Sequence, residues 1–198
     1  MKKQVVIIHG GDTFESHEAY LNFLKNFKID LDRCRIGKGS WKRWLHHALG
    51  EEYDIILPEM PGASNAQYEE WKLWMEKLIP LLNDEIILVG HSLGASFLVK
   101  YLSEAPCPKK VLGVFLVSTP FDTDSDGYSL ASFSHQGKIK LQNQNVYLYH
   151  SKDDPAVPFS AMEKFQKALP HAHARAFEDR RHMNQLEFPE LADDIKAL

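Results

Sequence analysis

Five short apolar runs recur along the chain, at residues 5–8, 53–57, 86–89, 111–117 and 146–149, each rich in Val, Ile, Leu or Tyr. A strand exposed on one face alternates apolar with polar residues, whereas a nearly unbroken run suits a strand covered on both faces. A sixth run, at 172–177, is weaker. Between the runs the apolar positions change to helical spacing, over 18–27, 41–49, 68–82, 93–103, 159–169 and 189–198, several of them closed by Pro or Gly. This alternation predicts an α/β fold, a mostly parallel sheet with helices on both faces. No repeat, low-complexity tract or Pro/Gly-rich linker divides the chain, so residues 1–198 are expected to form a single domain with no large cap domain. The section 121–144 is the most polar and least periodic, with Asp122, Asp124, Asp126 and Gly127 near its start, and reads as a long loop or small flap.

Charge and composition narrow the partners more than the fold. A formal net charge of −4 over 198 residues, with a sequence pI near 6.2, gives no general attraction to polyphosphate or to anionic lipid, so neither nucleic acid nor a membrane is an expected partner. The basic and aromatic stretch from Lys38 to Trp44 reads as a helix with a solvated basic side. The first apolar run is too brief for a signal-peptide core, and no stretch approaches the roughly 20 apolar residues that span a bilayer. Only Cys34 and Cys107 are present, with no CxxC pair, so a reducing, cytoplasmic location is expected.

The chemistry centres on Gly90-His91-Ser92-Leu93-Gly94, a G-x-S-x-G pattern. Gly and Ser are common enough for this to arise by chance, and its setting is what gives it weight. The run 86–89 precedes it and an apolar helical pattern follows it, the strand, turn and helix that a nucleophile elbow requires. Such a turn lifts the serine hydroxyl above the sheet edge, while the flanking glycines let the strand and helix backbones approach closely.

A serine hydroxyl needs a base to take its proton and a carboxylate to orient that base. With the chain order Ser, acid, His, the histidine must come late, which leaves His171, His173 and His182. The first two enter the run 172–177, and only His182 follows it, on the carboxyl edge where Ser92 also stands. His171 and His173 have no nearby Cys or acidic residue and read as surface positions, so no metal is expected. The acid should follow the run 146–149, where Asp153 and Asp154 both qualify. Donors for an oxyanion are expected from the Leu93 amide and, in the loop after the first run, from the Gly11 amide of His9-Gly10-Gly11. No cofactor is required.

These residues together resemble the small single-domain α/β hydrolases that include retinoblastoma-binding protein nine and the bacterial YdeN-type serine hydrolases. The likeness rests on His9-Gly10-Gly11, Met60-Pro61 with Glu70-Trp71, Gly90-His91-Ser92-Leu93-Gly94, Ser151-Lys152-Asp153-Asp154 with Val157-Pro158, and His182. It implies that the acid is the first residue of D-x-x-V-P, which is Asp154. It also implies an α/β-hydrolase fold and a Ser-His-Asp hydrolase acting on esters of small acyl substrates. Thioesterase and aminopeptidase activities use the same triad, and a non-catalytic protein-binding module on this fold is the alternative. Oligomeric state stays open. Family members often carry Gly before the histidine and Phe after it, where this chain has Arg181 and Met183. The segment 13–52 is longer than in compact members and is expected to shape a different pocket wall.

Overall fold

A computed structural model describes residues 2–29, 39–121, 129–141 and 144–198. Six strands, β1 (Lys3–Ile8), β2 (Tyr53–Ile56), β3 (Glu85–His91), β4 (Lys110–Val117), β5 (Val146–Ser151) and β6 (His173–Phe177), form one sheet in the order β2-β1-β3-β4-β5-β6. Every neighbouring pair runs parallel. Among the described residues the α-helices are α1 (His17–Asn26), α2 (Trp41–Leu49), α3 (Tyr68–Leu78), α4 (Leu93–Glu104), α5 (Ser160–Ala168) and α6 (Pro189–Lys196).

Alternate strand residues face opposite layers, as the pleat requires. Val6, Ile8, Leu88, Leu116 and Leu148 pack with Trp71 and Met75 of α3, Phe97 of α4 and Phe165 of α5. Val5, Ile7, Val89, Phe115 and Tyr149 pack on the other face with Trp41 and Leu45 of α2 and Leu191 and Ile195 of α6. The near-continuous runs in the sequence therefore reflect burial on both faces. Helix α2 buries a single stripe, Trp41, Leu45 and Leu49, four residues apart. Helix α4 is buried nearly all round, so its pattern is apolar rather than amphipathic.

The weak sixth run is explained by position: β6 is an edge strand whose first four residues are exposed. The helix expected over 68–82 ends at Leu78 and tightens into a 3₁₀ turn at Ile79–Leu81, where Pro80 lacks the N–H that an α-helix uses. Within the expected loop 121–144, residues 122–128 and 142–143 lie outside the described residues. The remainder is anchored to the core through Leu130, Phe133, Ile139 and Leu141.

From β1 the chain goes to β2 on one side and then returns to place β3 on the other. The carboxyl ends of β1 and β3 thus flank the point where strand order reverses, the crevice at which open parallel sheets bind ligands. Ile8 and Gly90 are register partners there, which brings the loop after β1 against the turn after β3.

Candidate active site

Ser92 forms the turn between β3 and α4 with φ = 54° and ψ = −124°, a conformation that a residue with a Cβ adopts at a cost of about 1–3 kcal/mol. Its neighbours allow the close backbone approach on which that turn depends. A Cβ on Gly90 would lie 2.5 Å from Ala95 Cα, and one on Gly94 would collide with the carbonyl oxygens of Ile8 and His9. The Ser92 amide donates to Val117 O (2.8 Å), while Ser92 O accepts from Ala95 N (2.9 Å) and Ser96 N (3.2 Å). Ser92 is buried to 7% exposure, so the turn is clamped on both sides.

The segments after β5 and β6 meet beside this turn. His182 Nδ1 lies 2.9 Å from Asp154 Oδ2 and 3.0 Å from Oδ1. The Asp154 side chain is fully buried, and its Oδ1 also accepts from Ala156 N (2.9 Å) and Val157 N (3.0 Å). Burial pushes this carboxyl upward. The hydrogen bond and charge of His182, together with the two amides, outweigh it and hold Asp154 below the usual aspartate range. Asp153 points elsewhere, accepting from Ser151 Oγ (2.6 Å) and Arg181 N (2.8 Å). Of the two aspartates open at this turn, Asp154 is the one that meets the imidazole. No hydrogen bond joins Ser92 Oγ to His182, whose ring contacts are to Asp154 and His91.

The loop after β1 closes the third side. His9 Nε2 accepts from Met60 N (2.9 Å), so its proton sits on Nδ1, which donates to Gly10 O (2.7 Å). A Cβ on Gly10 would lie 3.1 Å from Ser92 Cβ, and one on Gly11 would lie 2.5 Å from Ala63 O. Gly10 is thus the glycine packed on Ser92, whereas Gly11 is required by the turn at Ala63. Asp12 N donates to Ala63 O (2.8 Å) and Asp12 O accepts from Ala66 N (2.8 Å), fastening the loop. Leu93 opens α4, where the first N–H groups have no partner within the helix.

Several residues at the site were not singled out by the sequence. Burial raises the Asp12 carboxyl and the charge of His182 pulls it down, which places a second carboxylate within electrostatic reach of the imidazole. Residues 41–44 open helix α2 with Arg43 on its solvated side, as expected, but Lys42 leaves that side. Trp41 is completely buried, and Lys42 turns inward to place Nζ 3.2 Å from His91 Nδ1, with burial lowering its pKa to about 8. Lys38 and Cys34 lie outside the described residues.

His173 begins β6, exposed and stacked on Tyr147, and His171 Nε2 lies 3.3 Å from Leu141 O. Among the described residues no group of three or more His, Cys, Asp or Glu is placed to hold a metal ion. No described helix is long and apolar enough to cross a membrane.

A buried serine elbow at the strand-order reversal, with an aspartate and histidine pair on the same edge, defines an α/β-hydrolase site, and residues 36–187 match the Serine hydrolase family, to which the chain belongs. More particularly, it is similar to the YdeN-type hydrolases. It is 28% identical over 168 residues to the protein YdeN of Bacillus subtilis (strain 168), covering 81% of this chain and 75% of that one. The solved structure of the ydeN gene product from B. subtilis superposes with a TM-score of 0.75 at 21% identity, covering 99% of this chain and 98% of that one. The esterase domain from a Rhodothermus marinus protein superposes with a TM-score of 0.61 at 15% identity, covering 98% and 82%. The protein is a hydrolase.

Proposed function

We propose that this hydrolase cleaves carboxylic esters of small substrates through an acyl-enzyme intermediate. Ser92 attacks the carbonyl carbon while His182 accepts its proton; His182 then protonates the leaving alcohol, and water, activated by the same imidazole, releases the acid. Asp154 holds the ring with Nδ1 protonated, so that Nε2 is the basic nitrogen. The Leu93 and Gly11 amides stabilise the oxyanion. The observation that carries this reading is the two-oxygen contact of Asp154 with His182 Nδ1, because it leaves Nε2 as the ring nitrogen free to act as a general base.

Water and the Ser-His-Asp set are the only reactants needed, so no cofactor enters the cycle. We read the chain as one domain working on a small-molecule acyl substrate in the cytoplasm, in keeping with a free Cys107 and a modest net negative charge. Hydrolysis of short p-nitrophenyl esters, set against aminoacyl amides and acyl thioesters, tests the bond type. A higher kcat/KM on the esters is expected, and faster turnover of amides or thioesters would overturn the assignment.

A further inference from the structure

We propose that Trp41, Lys42 and His91 form a clamp that positions the loop carrying His182, and that these three are positioning residues for the reaction. The proposal rests on the reading of Ser92 and His182 as nucleophile and base. The loop needs such a device. Arg181 has φ = 49° and Met183 φ = 51°, so the residues on both sides of His182 occupy the left-handed region without being glycine. A backbone in that state reverts unless its surroundings determine it.

The surroundings supply three hydrogen bonds to three nearby carbonyls. His91 Nε2 lies 2.9 Å from His182 O, Trp41 Nε1 donates to Met183 O at 2.8 Å, and Trp41 N donates to Gln185 O at 3.2 Å. Trp41 is immobilised in the core, edge-on to His91 at 5.9 Å and to Phe188 at 5.7 Å between ring centres. The opposite side of the loop is tied at other positions, Arg180 N to Ser151 Oγ (2.9 Å) and Arg181 N to Asp153 Oδ1 (2.8 Å). Among the described residues, only Trp41 and His91 donate to the carbonyls of His182 and Met183.

Lys42 sets the form of His91 that the clamp needs. A carbonyl only accepts, so His91 Nε2 must carry a proton to bond His182 O; an ammonium only donates, so Nδ1 must present a lone pair to Lys42 Nζ. Both conditions are met by one neutral tautomer. Burial, the Lys42 charge and the His182 charge all hold the His91 pKa well below its ordinary value. Among the described residues Lys42 has no carboxylate partner, and its Nζ lies 4.7 Å from the centre of the Trp41 ring. Because His91 adjoins Ser92 in the chain, the clamp fixes the base relative to the nucleophile's own turn.

The test is the rate at which a fluorophosphonate labels Ser92, with kcat and KM on a p-nitrophenyl ester and a thermal melt for each variant. Trp41→Phe keeps the ring and removes one donor, His91→Leu removes the other, and His91→Gln restores an N–H of similar reach. Trp41→Phe and His91→Leu are expected to slow labelling and lower kcat at least about tenfold with KM little changed, since a misplaced base weakens the transition state more than substrate binding. His91→Gln is expected to recover most of that rate, and it keeps the test open if His91→Leu does not fold. Wild-type labelling in both Trp41→Phe and His91→Leu, or a His91→Gln as slow as His91→Leu, would overturn the clamp. A wild-type protein that takes no label at all would instead overturn the hydrolytic roles of Ser92 and His182.

Discussion

Asp154 holds His182 through both carboxylate oxygens, 2.9 and 3.0 Å from Nδ1, while two backbone amides pin the same carboxylate in place. That geometry fixes which imidazole nitrogen is free. Asp154→Asn keeps the shape and reverses one hydrogen-bond direction, favouring the tautomer with its proton on Nε2. A fall in kcat of about 10⁴-fold is expected, with KM nearly unchanged. Steady-state kinetics on the best ester checks it, and a loss below about tenfold would show that Asp154 does not orient the base.

The same contact shows what a sequence reveals and what it hides. Ser92 and His182 were legible because a motif and the carboxyl-edge rule constrain them independently. Asp153 and Asp154 occupy one turn and differ only in where their side chains point, so spacing could not separate them and the D-x-x-V-P resemblance had to. The strands β1 and β3 were legible because both faces are buried; β6 was faint because its residues face solvent. The inward position of Lys42 was invisible. It arises from contacts between residues 49 and 142 positions apart in the chain, Lys42 with His91 and Trp41 with Met183.

The glycines of the elbow make a direct stability prediction. Gly94→Ala drives a methyl group into the Ile8 and His9 carbonyls, and Gly90→Ala into the Ala95 backbone, neither of which is a flexible side chain. Each is expected to lower the unfolding free energy by about 3 kcal/mol and to abolish activity. Urea denaturation checks this, with Gly50→Ala, whose surroundings are open although its φ is 76°, as a milder comparison.

Arg181 offers a change of opposite sign. Its exposed side chain sits on a left-handed backbone, where glycine meets no steric penalty. Arg181→Gly is expected to stabilise the fold by about 0.5 kcal/mol, the relieved strain exceeding the extra freedom of the unfolded chain. The Arg181 amide remains to donate to Asp153. A rise in the urea midpoint without a change in slope is the expected outcome.

Two buried histidines set the response to mild acid. Desolvation lowers the folded pKa of His91 and of His150, whereas in the unfolded chain both titrate near 6.5. Below that value the unfolded state binds protons that the folded state refuses, so stability is present above about pH 6.5 and is lost as pH falls from there, by up to about 1.4 kcal/mol per pH unit for each group. Asp154, with its depressed pKa, adds a further loss on approach to pH 4 and below. Melting temperatures measured from pH 8 to 4 should decline first near 6.5, and His91→Gln should flatten that first decline.

The assignment of Ser92 as nucleophile is tested most directly by locating the adduct of a fluorophosphonate on the intact protein by peptide mass spectrometry. The expected result is a single adduct on the peptide containing Ser92, absent from Ser92→Ala and strongly slowed in Asp154→Asn. Equal labelling of wild type and Ser92→Ala, or an adduct on another residue, would contradict it.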